Sequence, residues 1–541
     1  MAMTFLDLVR REGAALPGPR LTVMAGISGI ASAGILAVLN VTATRAASNE
    51  SAMGLFFVFL ILLALQIIAS RFVLRSSARE VEMVVHGLRL RLIDKIRKAS
   101  MPTLERLGRG EVYASIGKDT QTISQAAMVI TNAAQAGVLL VFASVYLAWI
   151  SVTAFLIAFG FVAVASWVHF RHGRALRRAY DEAMALERRL FDAVGDFVDG
   201  FKETKMHWRR SADLFAEFKT HSGAAAQSKI VAAGAIAGEV VFAQTALFLL
   251  VATMVFVVPV LSDGFSAKVV QTATVVLFMF GSISTVVTSA PMVAAANAAA
   301  ASIMLLESQL DSNSAEQPGS DTELPAFGRF DALALRGVAY AHTDDLGHDG
   351  FALGPIDFAI KSGEMVFITG GNGSGKTTLL KVLVGLYTPQ EGEILLNGQP
   401  LNAADQRGYR QLFSVVFNDF HLFRRLYGLL DAHPDRISEL LDLLEIADKT
   451  AVVDGSFESL QLSGGQRKRI ALLVALLEDR PVIVLDEWAA DQDPAFKRKF
   501  YRDILPGLRK GGKTIVAITH DDAYFDVADR HVRMDYGRST D

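Results

Sequence analysis

The sequence predicts two domains of different fold class: an α-helical transmembrane domain of six spans over residues 1–310 and, beyond a linker at 311–328, an α/β domain of the P-loop type over 329–541. Three observations predict it. The first half contains stretches without Asp, Glu, Lys or Arg that are long enough to cross a bilayer. The second half changes to short β-branched runs alternating with helical patterns, as in a mostly parallel sheet. One of those runs leads straight into a glycine-rich turn followed by Lys-Thr and a helix.

A chain of 541 residues exceeds what a single core fills. Its net charge of −3 carries no footprint of nucleic-acid binding. Hydrophobic residues make up 51% of it, and the mean hydropathy of +0.33 points to a membrane. There is no cysteine, which excludes disulfides, Cys-ligated zinc and thiol nucleophiles. The run Leu21–Thr44 is too long for the core of a signal peptide and is expected to be retained.

Crossing about 30 Å of hydrocarbon takes about 20 helical residues at 1.5 Å each. The uncharged runs Leu21–Thr44, Ser51–Ser70, Thr120–Phe170 and Val269–Leu306, with Ile230–Ser262 and its single acid Glu239, place spans near 21–43, 52–74, 126–148, 151–170, 232–260 and 269–291. Thr120–Phe170 holds two of them, with a tight turn near Trp149. Segments 71–125 and 171–230 carry 11 and 12 Lys/Arg residues, whereas the opposite connections carry only Arg45 and Lys268. The basic segments are therefore cytosolic, and six spans put both termini on that side. Within them Val81–Ala99 and Arg174–Phe218 read as membrane helices continuing into the cytosol, with turns expected at Gly108, Gly110, Gly195 and Gly200. Glu239 either faces a cavity within the fifth span or reaches the headgroups from its cytosolic end.

The turn Gly370-Gly-Asn372-Gly373-Ser374-Gly375-Lys376-Thr377-Thr378 follows the strand Met365–Thr369 and opens a helix near Thr377. Successive backbone N–H groups curl around phosphate oxygens in such a turn, and the helix N-terminus adds positive potential. Lys376 is placed to meet the β- and γ-phosphates of ATP and Thr377 to bind Mg²⁺. The buried strand Pro481-Val-Ile-Val-Leu ends in Asp486-Glu487, which fits a Walker B segment: Asp486 to hold Mg²⁺ through water, Glu487 to polarise the attacking water.

Leu462-Ser463-Gly464-Gly465-Gln466, ahead of a helix at Arg467, resembles the signature motif of ABC ATPases. The resemblance implies that Ser463, Gly464, Gly465 and Gln466 close on the γ-phosphate bound to a second copy of the chain, so a homodimer is expected. It also makes His520, in Ile-Thr-His-Asp, the switch histidine. Asn418 stands where the family usually has glutamine and is counted with the catalytic and metal-facing residues. The D-loop region carries unusual Trp488 and Asp491. The ring that stacks on adenine is His342 or Tyr340.

The combination of Phe417-Asn-Asp-Phe-His-Leu-Phe423, Asp486-Glu-Trp-Ala-Ala-Asp-Gln-Asp493-Pro and one six-span domain fused to one ATPase resembles the cyclic-peptide exporters of Gram-negative bacteria. That resemblance implies an ABC exporter in the inner membrane, moving a cyclic or modified peptide, a lipopeptide or a siderophore-like compound. Its partners would be a second copy, the bilayer and a peptide-like or amphipathic substrate. A lipid flippase or multidrug exporter shares the architecture, and a non-transporting regulator or ATP-gated channel is the other class to weigh. Met101–Arg109 and Asp192–Lys205, with Leu104, Phe197 and Phe201 among them, are expected to carry motion between the halves through the segment Asn418–Phe423.

Overall fold

The computed structural model describes the chain except residues 1–4, 13–17, 48–52, 262–267, 313–328, 344–348, 403–404 and 541, and the side chains of some helical residues, Glu239 among them. Two compact units emerge: Met1–Arg91 with Tyr113–Leu305, and Leu92–Val112 with Leu306–Asp541. The linker expected at 311–328 lies outside the described residues from 313 onward.

Long helices dominate the first half: Pro19–Ala47, Met53–Lys98, Thr120–Ile150, Val152–Asp199, Trp208–Ala252 and Val269–Ser312. At 1.5 Å per residue the 46-residue helix Met53–Lys98 is about 70 Å long, more than twice a bilayer core. Among the described residues five helices are long and apolar enough to cross a membrane, and the apolar start of Val152–Asp199 adds the shorter stretch Val152–Val168. Only 6% of the most apolar window of Met53–Lys98 is buried, and Phe56, Phe57, Ile61 and Ile68 stand exposed along it. Such a surface matches hydrocarbon rather than water.

The turn near Trp149 is made by Ser151, whose extended backbone breaks the helix and whose hydroxyl accepts from Ala154 N at 3.3 Å, capping the next one. Polar side chains in this unit bond between helices: Ser28 with Ser70 at 2.8 Å, Ser77 with Thr131 at 2.6 Å, and Gln271 Nε2 donating to Thr44 Oγ1 at 2.7 Å. Of the four expected turn glycines, Gly108 kinks its helix at φ 70° and Gly200 separates Val152–Asp199 from Phe201–Met206. Gly110 and Gly195 instead continue helices.

The second half is α/β. Strands β1 (Ala332–Thr343), β2 (Asp349–Lys361), β3 (Met365–Gly370), β4 (Glu391–Leu396), β5 (Gln399–Pro400) and β6 (Phe413–Val416) are followed by a small β7–β8 pair (Val452–Val453, Ser456–Phe457). Then come β9 (Val482–Asp486), β10 (Thr514–Ile518), β11 (Arg530–Asp535) and β12 (Arg538–Thr540). The principal sheet runs β12-β11-β3-β10-β9-β6 and is parallel apart from β12. Every residue of β9 and β10 is buried, as expected of central parallel strands covered on both faces. A separate antiparallel sheet, β2-β1-β4-β5, was not foreseen from the alternation of strands and helices. Apolar side chains of β3, β9 and β10 point alternately into two cores, one shared with β1 and β2, the other with the helix Gly464–Leu477.

Candidate nucleotide-hydrolysis site

The functional candidates collect at the carboxyl ends of adjacent parallel strands, where an open α/β sheet binds its ligands. β3 ends at Gly370, β6 leads to Asn418, β9 ends at Asp486, and Thr519-His520 follow β10. Gly370 sits at φ 143°, and a Cβ there would strike the carbonyl of Met534 on β11, so only glycine permits this start of the turn. The following helix, Lys376–Leu383, is entered through Gly375 in a left-handed conformation. Lys376 Nζ lies inside the turn, donating to Gly370 O at 3.0 Å and Gly371 O at 2.9 Å. The Ser374 hydroxyl is buried with no hydrogen-bond partner, whereas Asn372, Gly373 and Thr377 are exposed and Thr378 is half-buried.

Thr377 Oγ1 donates to Asp486 Oδ2 at 3.1 Å, while Asp486 Oδ1 is buried without a partner. Burial raises the Asp486 pKa above the usual carboxylate range, against the Thr377 bond that lowers it. A hydroxyl and an orphaned carboxylate oxygen form a hard donor set that suits Mg²⁺, which typically takes one or two protein ligands and completes its shell with water and phosphate. Among the described residues no group of three or more His, Asp or Glu side chains converges on such a site. Bound there, the ion would neutralise charge on the phosphates.

Glu487 adopts φ 47°, a conformation that costs a residue with a Cβ and persists only where its surroundings enforce it. Its Oε1 lies 3.1 Å from His520 Nε2, which joins the two candidates named for water activation and switching. Asn418 Oδ1 accepts Lys468 Nζ at 3.2 Å. Although counted among the metal-facing residues, Asn418 thus offers an oxygen that already has an ammonium beside it, and a second cation there would meet like charge.

Ser463 caps the helix Gly464–Leu477 in a full capping box: its hydroxyl accepts from Gln466 N at 3.3 Å and Gln466 Oε1 accepts from Ser463 N at 3.1 Å. The helix therefore begins at Gly464 rather than Arg467, because the box recruits both glycines into its first turn. Ser463 and Gly464 are exposed, and Gly464 has open space before it. Gly465 packs closely on the Asp491 carbonyl. Of the two rings left open for adenine, Tyr340 is buried and stacks on Tyr387 with centroids 4.6 Å apart, which removes its face from use. His342 is half-buried, edge-on to both tyrosines.

Sequence reasoning missed the buried basic pair in the second turn of that helix. Lys468 and Arg469 are 4% and 9% exposed, although the run Arg467-Lys-Arg has the look of a solvated face. Arg469 donates to Gln492 Oε1 and Asp493 Oδ2, each at 2.8 Å, and lies over the Phe496 ring; Gln492 Nε2 in turn donates to Gly465 O at 3.0 Å. The available signal was the pair of acids Asp491 and Asp493 after the Walker B strand, since basic residues are buried only where acids pair with them.

A helix from the first loop, Met101–Tyr113, belongs to this unit up to Val112. Met101 packs against the core that contains Tyr340 and Tyr387. Glu105 accepts from Lys381 Nζ at 2.8 Å and from the Tyr387 hydroxyl at 2.6 Å. Burial raises the Glu105 pKa, but the two hydrogen bonds outweigh it and hold the carboxyl below its ordinary value. The first loop thus meets the surface beside the P-loop helix, at Lys381 and Tyr387. The expected segment Asn418–Phe423 follows β6, and the charge of its Asp419 also acts on Tyr387. Phe423 remains 62% exposed.

Residues 353–490 match the family model described as ABC transporter. The chain is 34% identical over 530 residues to the ATP-binding protein SyrD of Pseudomonas syringae pv. syringae, covering 95% of this chain and 92% of that protein. It is 26% identical over 487 residues to an ATP-dependent lipid A-core flippase of Paraburkholderia xenovorans, covering 84% of this chain and 77% of that one. Among solved structures, a bacterial Atm1-family ABC exporter with ATP bound superposes with a TM-score of 0.77 at 17% identity, over 98% of this chain and 95% of that one, a likeness of fold. With a P-loop and a Walker B acid pair at the carboxyl ends of parallel strands, a capped signature helix, and a relative of this similarity along nearly its whole length, the chain belongs to the ABC transporters, as an exporter half-transporter whose ATPase domain drives transport.

Proposed function

We propose that the chain works as a symmetric homodimer in a bacterial inner membrane, with both termini cytosolic, and exports a cyclic or modified peptide, a lipopeptide or a siderophore-like compound. The observation that carries the reading is the 34% identity to SyrD over 95% of the chain, together with the segments around Asn418 and Trp488 that resemble cyclic-peptide exporters. Lipid A-core flippases match less closely at comparable length, 26% over 84% of the chain in one case, so lipid flipping is the second reading. At each ATP site Lys376 and the P-loop amides would hold the phosphates, Thr377 and Asp486 a Mg²⁺ ion, and His342 the adenine. Glu487, with His520 beside it, would polarise the attacking water.

The purified chain in liposomes should show ATPase activity stimulated by a cyclic lipopeptide more strongly than by lipid A-core, and should accumulate the lipopeptide in inside-out vesicles with ATP. Stimulation by lipid A-core alone would overturn the peptide reading in favour of the flippase.

The Glu105 contact is the proposed route by which the first loop senses the nucleotide site. Glu105→Ala leaves Lys381 and the buried Tyr387 hydroxyl without their shared acceptor, a loss of about 1–3 kcal/mol at that contact. Basal ATPase should persist while substrate stimulation and transport fall together by several-fold. Normal stimulation in the variant would place coupling elsewhere, for instance at the exposed Phe201 of the second loop.

A further inference from the structure

Three side chains that depart from the usual pattern of this family, Asn418, Trp488 and Asp491, all meet one buried residue. Lys468 Nζ lies 2.8 Å from Asp491 Oδ2, 3.0 Å from the Glu487 carbonyl and 3.2 Å from Asn418 Oδ1. These three acceptors match the three N–H donors of an ammonium group. The main-chain carbonyl of the same lysine accepts Trp488 Nε1 at 2.7 Å, and the Trp488 ring is buried against Phe500. Lys468 therefore holds the Glu487–Trp488 segment at two points, one through its side chain and one through its backbone.

This bears on catalysis because Glu487 is held at φ 47°. A residue with a Cβ keeps such a conformation only if its neighbours over-determine it. The hydrogen bond from Lys468 to the Glu487 carbonyl fixes the peptide that follows the carboxylate, and the Trp488 anchor prevents that peptide from turning back. The same ammonium fixes the Asn418 amide and the loop bearing Asp491. A buried cation is tolerated only while it is paired, so displacement of any of these partners is felt by the others.

We propose that Lys468 is a positioning residue of the hydrolytic site, which locks the backbone of Glu487 and the amide of Asn418 into register and ties both to the Asp491 loop. The proposal rests on the reading of Glu487 as the group that polarises water. Lys468 acts through Glu487 and Asn418 and touches no reacting atom in this geometry.

The test uses the purified full-length chain in lipid nanodiscs, with phosphate release, binding of a fluorescent ATP analogue and thermal unfolding read in parallel. Lys468→Met keeps most of the stem and removes all three donors. It should lower kcat by about a hundredfold, the scale of a catalytic group misplaced by about 1 Å, while KM for ATP moves less than about threefold. Lys468→Arg should recover part of that loss. In the Asn418→Ala background, Lys468→Met should slow turnover by much less than it does alone, because the two act as a unit. Asp491→Ala decides the matter if Lys468→Met does not fold: this carboxylate is 57% exposed, and its loss should lower kcat at unchanged KM. A kcat within about twofold of wild type in the folded variants, or losses in kcat, affinity and melting temperature that rise together, would overturn the positioning role. Glu487→Gln run alongside separates the two readings. If it turns over normally, the assignment of Glu487 is wrong; if it is inactive while Lys468→Met and Asp491→Ala are active, only the role of Lys468 fails.

Discussion

Glu487→Gln should bind ATP as the wild type does and hydrolyse it about a hundred- to ten-thousand-fold more slowly, the range of a positioned general base. The substitution is isosteric, so the hydrogen bond with His520 Nε2 at 3.1 Å can be kept by the amide oxygen. Nothing that cradles phosphate changes: Lys376, the glycines of the turn and the Thr377–Asp486 pair are untouched. What is lost is the negative charge proposed to polarise water. The variant should therefore accumulate in a nucleotide-bound closed dimer, visible as retained nucleotide after gel filtration and as cross-linking between copies. Phosphate release at the wild-type rate would refute the assignment.

The second large effect is a rescue. Lys376→Ala should inactivate the P-loop, and Gly464→Asp should inactivate the signature turn by placing a carboxylate where a phosphate is expected. Gly464 is exposed, and a Cβ added there meets nothing within 4 Å. Each variant alone should be inactive. If each site pairs one copy's P-loop with the other copy's signature, a mixed dimer contains one site with both parts intact. Random pairing of the two variants should then restore vanadate-trapped nucleotide to about a quarter of the wild-type sites. If both parts of a site came from one copy, no mixture would contain an intact site and trapping would stay at background.

What the sequence made legible was local in origin. The P-loop, the Walker B strand and the signature turn each owe their geometry to a few consecutive residues, and the structure sets the first two at strand ends of one sheet and the third at a helix start. The apolar runs were equally plain, because a bilayer demands uninterrupted hydrophobicity. Contacts between distant residues were not legible. Lys468 meets an amide 50 residues earlier in the chain, and Glu105 meets Lys381 276 residues later. Neither pairing has a periodicity or a spacing to announce it. Tyr340 shows the same limit: the tyrosine that covers its face, Tyr387, comes from beyond the P-loop helix, and only the folded core brings the rings together. Exposure of Phe423 in the segment after Asn418 likewise names no partner.

The membership of Leu92–Val112 in the second unit has a consequence for how the molecule is made. The segment bearing Glu105 leaves the ribosome after the second membrane segment, whereas Lys381 and Tyr387, which hold it, follow 276 and 282 residues later. That separation is about 14–55 s of translation at 5–20 residues per second. During that interval Met101 has no folded core to pack against. Formation of the Glu105 contact is therefore a late step in synthesis, one that a chain truncated before Lys381 cannot take.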